Sequence, residues 1–194
     1  MLETRAYELA EAETRDSRWG YSPSRLIGRL SSKYRSFLKR IRASDNGTDI
    51  MTELYVNEFY RIEKQLRLLA AAYAHAKKKR LPMCCGTDTP RALMLCRELV
   101  MLTDAAIDVN SLGVFFEAYQ KAQTLRLKEV ELIETMLRIA LLECIDAVTN
   151  SSSDSAERAA GLQRALISLD RIGDADMEAA IKALNRVDRL LTED

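Results

Sequence analysis

The chain predicts an all-α fold, a multi-helix bundle of about seven or eight helices with no sheet. Three observations lead there. Only seven glycines and three prolines interrupt 194 residues. No window alternates apolar and polar residues as a half-buried strand does, and apolar residues instead recur at steps of three and four. The predicted helices cover residues 2–15, 23–43, 48–79, 90–103, 109–120, 125–150, 155–172 and 175–192. Their breaks have local causes: Asp45, Asn46 and Gly47 make a turn, Thr89 caps a helix whose first position is Pro90, and residues 150–153 form a polar loop. The organisation divides into N-terminal helices over 1–47 and a helical bundle over 48–194.

Helix by helix, the pattern assigns roles. The opening MLETRAYELAEAETRD is charged and amphipathic, unlike a secretory leader. Within 23–43 the apolar residues Leu26, Ile27, Leu30, Tyr34, Phe37, Leu38 and Ile41 share one face. Arg25, Arg29, Lys33, Arg35, Lys39, Arg40 and Arg42 surround that face, with no acid between Ser17 and Ser44. A basic amphipathic helix of this kind suits an anionic membrane surface, with Arg25, Arg29, Lys33, Lys39 and Arg40 as the contacts. The other reading is that its apolar face packs on the bundle and its basic face meets acids elsewhere.

Along 48–79, Tyr55, Phe59, Ile62, Leu66, Leu69 and Tyr73 alternate steps of four and three, the spacing of a helix–helix seam within the bundle or along a partner helix. Lys77, Lys78, Lys79 and Arg80 close that helix and complement its negative dipole end, with an acidic lipid or a phosphate-bearing ligand as the functional alternative. The stretch 132–148 is apolar almost all round, which places it at the centre of the domain. On it, Glu134 and Arg138 stand four apart in the favourable order for an ion pair. Asp174, Ala175 and Asp176 precede the last helix, where capping is their natural role.

Composition narrows the function classes. Lys and Arg number 29 and Asp and Glu 29, so no global field recruits nucleic acid. Cys84, Cys85, Cys96 and Cys144, with one histidine, do not match a zinc pattern and read as small apolar residues. The longest apolar runs are too short to span a bilayer. A nucleotide-sugar site, with a carboxylate pair holding a divalent metal, is normally built on an α/β sheet, which this pattern lacks. No Gly-rich phosphate loop, G-x-S-x-G element or zinc-binding helix occurs, so no catalytic residue, metal or cofactor is assigned.

Four blocks carry a likeness to a known family. NEFYRIEKQLR, residues 57–67, is similar to a "DNFYLIEEQIR" pattern. PRALMLCRELVMLTDAAID, residues 90–108, is similar to "PRVYALALELIAHTDGRLD". In residues 115–143, Ala118, Tyr119, Gln120, Leu125, Leu127, Glu129, Met136, Leu137, Arg138, Ala140, Leu141 and Glu143 fall in register, and LISLDRIGDADMEAAIKALNRVDRLLTED closes the chain. Together they resemble the N-terminal cytoplasmic region of the cyclic β-1,2-glucan synthases, large membrane glycosyltransferases that use UDP-glucose. Two departures stand out: a "GELWALP" run is replaced by residues 128–134, and the glycine of "DGR" is Ala105.

The resemblance implies a non-catalytic helical portion of such an enzyme, cytoplasmic and at or near the inner membrane, that scaffolds the synthase or holds the glucan or its primer. Its partners would be the rest of the synthase polypeptide, β-1,2-glucan and an anionic membrane surface. Tyr119, Gln120, Arg138 and Glu143 offer the aromatic, amide and charged groups a sugar needs. The competing expectations are a free-standing adaptor that binds a partner helix along the 55–73 seam, and a peripheral membrane-binding module.

Overall fold

The structure, a computed structural model, describes residues 1–12, 24–43, 49–76, 81–84, 87 and 89–185. The expected turn at Asp45, Asn46 and Gly47, the Lys77, Lys78, Lys79 and Arg80 cluster, Cys85 and the end of the last helix lie outside these residues. So do the side chains of Arg25, Leu26 and Tyr73.

The described residues form nine helices: α1 (Leu2–Ala12), α2 (Ser24–Ala43), α3 (Ile50–Ala76), α4 (Arg91–Leu102), α5 (Val109–Ala122), α6 (Leu127–Val130), α7 (Ile133–Thr149), α8 (Ser155–Arg171) and α9 (Ala175–Ala183). The fold is all-α; the one β-type pairing among them is an isolated antiparallel bridge between Met83 and Pro90.

Side-chain caps explain several starts. Asp49 accepts from Thr52 N–H at 2.7 Å ahead of α3. Asp108 and Ser111 form a reciprocal capping box at α5, and Asp154 accepts from Ala156 N–H at α8. Each such cap is worth about 1 kcal/mol.

The nearly all-apolar α7 is the hub, packed against α2, α3, α4, α8 and α9, while α1 lies on α5 and α3 also meets α2 and α8. Ile133, Met136, Leu137, Ile139, Leu141, Leu142 and Ile145 are fully buried along it. Each of these side chains stabilises the bundle by roughly 1.5–3 kcal/mol relative to exposure. Ala6, Ala10, Ile27 and Leu30 from the first two helices belong to the same continuous core as the later ones.

Two boundaries differ from expectation. The helix predicted over 125–150 is two, interrupted at Glu131 and Leu132. The Glu129 carboxylate turns back to accept from Arg126 N–H at 3.0 Å. Leu132 N–H then bonds Glu129 O at 3.1 Å, tightening the chain into an i→i+3 turn. The second difference is at α4, which begins at Arg91 with Pro90 in the cap position and no side-chain cap. Pro90 stays extended because the bridge straddles it: Cys84 N–H donates to Thr89 O at 2.9 Å and Arg91 N–H to Pro82 O at 3.0 Å. Asp174 does occupy the cap position of α9, but its side chain makes no capping bond.

The end of α4 is unusual. Ala105 N–H bonds Val100 O at 2.8 Å and Asp104 N–H bonds Met101 O at 3.2 Å, the paired closure of a Schellman motif. Asp104 and Ala105 carry φ values of 49° and 61°, the left-handed region that costs a side-chain-bearing residue about 1–2 kcal/mol. Two residues one turn apart on α8 hold this bend: Arg164 reaches the Asp104 carboxylate at 2.7 Å and its carbonyl at 3.1 Å, and Ser168 Oγ donates to Ala105 O at 2.6 Å.

Candidate functional site

Helix α2 carries two opposite faces, and the structure assigns each a place. Ile27, Leu30, Tyr34 and Leu38 are buried, and Phe37 and Ile41 pack at the margin of the core. Tyr34 Oη donates to Leu142 O, Tyr55 Oη donates to Tyr34 O at 3.3 Å, and Phe37 meets Tyr55 edge-on with ring centroids 4.7 Å apart. Burial pushes the phenols of Tyr34 and Tyr55 well above the usual tyrosine range. The apolar face of α2 is therefore fixed inside the bundle, while the acidic partner that the same sequence reading expected for the basic face is found, among the described residues, for Lys33 alone.

The cationic face is exposed. Arg29, Lys33, Arg35, Lys39, Arg40 and Arg42 all stand in solvent. Lys33 Nζ pairs with Asp146 of α7 at 2.6 Å. Among the described residues, no carboxylate pairs with Arg29, Arg35, Lys39, Arg40 or Arg42. The Arg40 guanidinium sits 5.3 Å from the centroid of the Phe37 ring.

A groove of about 580 Å³ runs between α2 and α7, lined by Arg29, Ser32, Lys33, Ser36 and Arg40 on one side and Asp146 and Asn150 on the other. Ser32, Ser36, Asp146 and Asn150 were not candidates from the sequence. The two serines were legible there, since 29, 32, 33, 36 and 40 share one helical stripe. Asp146 was not, because it lies 113 residues from Lys33.

The four residues considered for sugar contact do not gather in one place. Tyr119 is fully buried and its hydroxyl meets Gln123 Oε1 one turn on. Gln120, also buried, donates to Leu184 O at 3.1 Å. Arg138 is buried on α7, bonded to Gln65 and, at 2.8 Å, to Glu134, as the four-residue spacing predicts. Glu143 binds Arg97 of α4 in a two-point contact at 2.6 and 2.7 Å. None of the four lines the α2–α7 groove, a groove of about 450 Å³ beside Leu127 and Ile181, or one of about 400 Å³ beside Asp108 and Asp174.

The seam proposed for a partner helix is also occupied internally. Tyr55, Ile62, Leu66 and Leu69 are buried, and Phe59 packs on the core, with α2, α7 and α8 covering them.

A buried ion pair between α4 and α6 went unread in the sequence. Arg91 on α4 grips Glu129 on α6 with two parallel hydrogen bonds, Nε to Oε1 at 2.8 Å and Nη2 to Oε2. Glu129 is completely buried and Arg91 nearly so. A glutamate three residues after Arg126 is a helix-start signal, but nothing local points to a partner 38 residues away.

Among the described residues, no group of three or more His, Cys, Asp or Glu side chains is arranged to hold a metal ion. No helix among them is long and apolar enough to cross a membrane.

No family model matches the chain, and no curated protein matches it.

Proposed function

We propose that this chain is a helical scaffold that docks on an anionic membrane surface through α2, as part of, or a relative of, the cytoplasmic N-terminal region of a cyclic β-1,2-glucan synthase. The exposed cationic face of α2 carries the docking. Arg29, Arg35, Lys39, Arg40 and Arg42 are in solvent while the apolar face is spent in the core. The attachment is therefore adhesion to headgroups and not insertion. Each cation at the surface contributes about 1 kcal/mol toward an anionic bilayer, so these five together suffice for reversible, peripheral binding.

The four similar blocks support the glucan setting. So does one detail of the bend after α4: the position at which the resembled pattern has glycine is Ala105, whose φ of 61° is one that glycine adopts without strain. A scaffold fits better than a sugar-holding site, because Tyr119, Gln120, Arg138 and Glu143 already bond within the bundle.

The test reverses the charge of Arg29, Arg35, Lys39 and Arg40 in the source cells, leaving Lys33 to its partner Asp146. Binding of the purified chain to anionic vesicles, and incorporation of glucose from UDP-glucose into glucan by the source cells, are then measured. Loss of vesicle binding with a fall in glucan synthesis is expected. Undiminished vesicle binding would contradict docking through α2, and lost binding with undiminished synthesis would contradict the glucan setting.

A further inference from the structure

We infer that the groove between α2 and α7 is a phosphate-ester site, with Arg29, Ser32, Ser36 and Arg40 as donors to phosphoryl oxygens and Lys33 as a third, fixed cation. The inference deepens the docking reading, from a diffuse charged face to one defined pocket on it.

Positions 29, 33, 36 and 40 are separated by four, three and four residues, so they make one stripe about 16 Å long on the helix. Ser32 flanks that stripe, and all five residues line the groove. Two guanidiniums and two hydroxyls facing one cleft match an oxyanion with several acceptor oxygens, and guanidinium meets phosphate with paired N–H bonds. Lys33 is not neutralised out of use. One of its three ammonium donors goes to Asp146 at 2.6 Å, which leaves two.

The opposing charges are weaker. Among the described residues Asp146 is the only carboxylate lining the groove, and Asn150 Nδ2 already binds its carbonyl at 2.7 Å and its carboxylate at 3.2 Å. The C-terminal end of α7 adds about half a negative charge. Against three cations, the balance stays positive. Phe37 gives the groove an apolar wall beneath Arg40. A bare inorganic anion has no use for that wall, whereas the carbon side of a phosphate ester does. The volume of about 580 Å³ accommodates a glycerol phosphate group. The same chemistry is offered by a phospholipid headgroup and by a soluble phosphate ester.

Two double variants of equal charge separate the pocket from the general field: Arg29→Gln with Arg40→Gln inside the groove, and Arg35→Gln with Lys39→Gln on the same helix outside it. Binding is measured to phosphatidylcholine vesicles with and without phosphatidylglycerol. Amide NMR shifts of Ser32 and Ser36 are followed on titration with sn-glycerol 3-phosphate.

The groove pair should weaken vesicle binding at least about tenfold more than the outer pair and abolish the Ser32 and Ser36 shifts. Equal weakening by both pairs, with no shifts in the native chain, would overturn the pocket while leaving docking intact. Shifts without vesicle binding would uphold the pocket for a soluble ester and overturn membrane docking. Absence of both would overturn both.

Discussion

Replacing Glu129 with alanine is the sharpest perturbation of this fold. The carboxylate is completely buried, takes two hydrogen bonds from Arg91 and a third, at 3.0 Å, from the main chain of Arg126. Its removal takes a two-point carboxylate partner from a nearly buried guanidinium, and breaking a buried pair in this way costs about 3–5 kcal/mol in comparable sites. Arg91 retains a longer contact to Thr124 O at 3.4 Å, which puts the expected loss near the lower end, about 3 kcal/mol. That is a large share of a typical domain stability of about 5–15 kcal/mol. For a chain of this length it lowers the melting temperature by roughly 6–12 °C.

Urea unfolding followed by circular dichroism at 222 nm reads the change, provided the dependence on urea keeps its slope. The pair Arg91→Met with Glu129→Leu removes both charges and recovers most of the loss, because an apolar pair of similar volume avoids the desolvation penalty altogether. A loss below about 1 kcal/mol for the single variant, or a double variant as unstable as the single, would refute the assignment of this pair as the α4–α6 anchor.

Other expectations follow from the same geometry. Ser168→Ala removes the hydroxyl that donates to Ala105 O and accepts from Ile107 N–H at 2.9 Å, leaving both buried groups without it; a loss of about 2–3 kcal/mol and faster hydrogen exchange at Ile107 should result. Alkali should unfold the chain steeply. Burial raises the phenols of Tyr34 and Tyr55 and the thiol of Cys96 in the folded state, so the unfolded chain releases these protons first. Stability is then intact below the ordinary thiol range and falls as pH climbs through about 9 to 11, by up to about 1.4 kcal/mol per pH unit for each group titrating. Tyr34→Phe should flatten that slope in urea titrations at pH 8 to 11, and an unchanged slope would contradict burial as its cause.

How much of this was legible depends on the range of the interaction. Helices, the central place of residues 132–148 and the Glu134–Arg138 pair are set by spacings of three and four, which a sequence displays directly. The break at Glu131 and Leu132 was hidden, because strong helix formers on both sides gave no stop signal and the cause lies in a carboxylate held from α4. Pro90 was read as a first helical residue for a similar reason, since the bridge to Met83 that holds it extended is a pairing of separate segments. On α2 the pattern showed both faces but not which one the bundle would cover. That choice is made by Tyr34 and Leu142, 108 residues apart.

The site candidates divide the same way. Tyr119, Gln120, Arg138 and Glu143 have the right chemistry for a sugar, yet partners distant in sequence bind three of them: Leu184 for Gln120, Gln65 for Arg138 and Arg97 for Glu143. The cations of α2 were found because charge sits outside the core and needs no partner to be seen.

Flotation of the purified chain with phosphatidylglycerol vesicles across a salt series tests the docking account most directly. The screening length falls from about 14 Å at 0.05 M salt to about 4 Å at 0.5 M, so binding through the face of α2 should be strong at the first and lost at the second, with none to neutral vesicles. Binding that ignores salt, or that neutral vesicles support equally, would mean apolar insertion and would contradict an α2 whose apolar face is locked in the core.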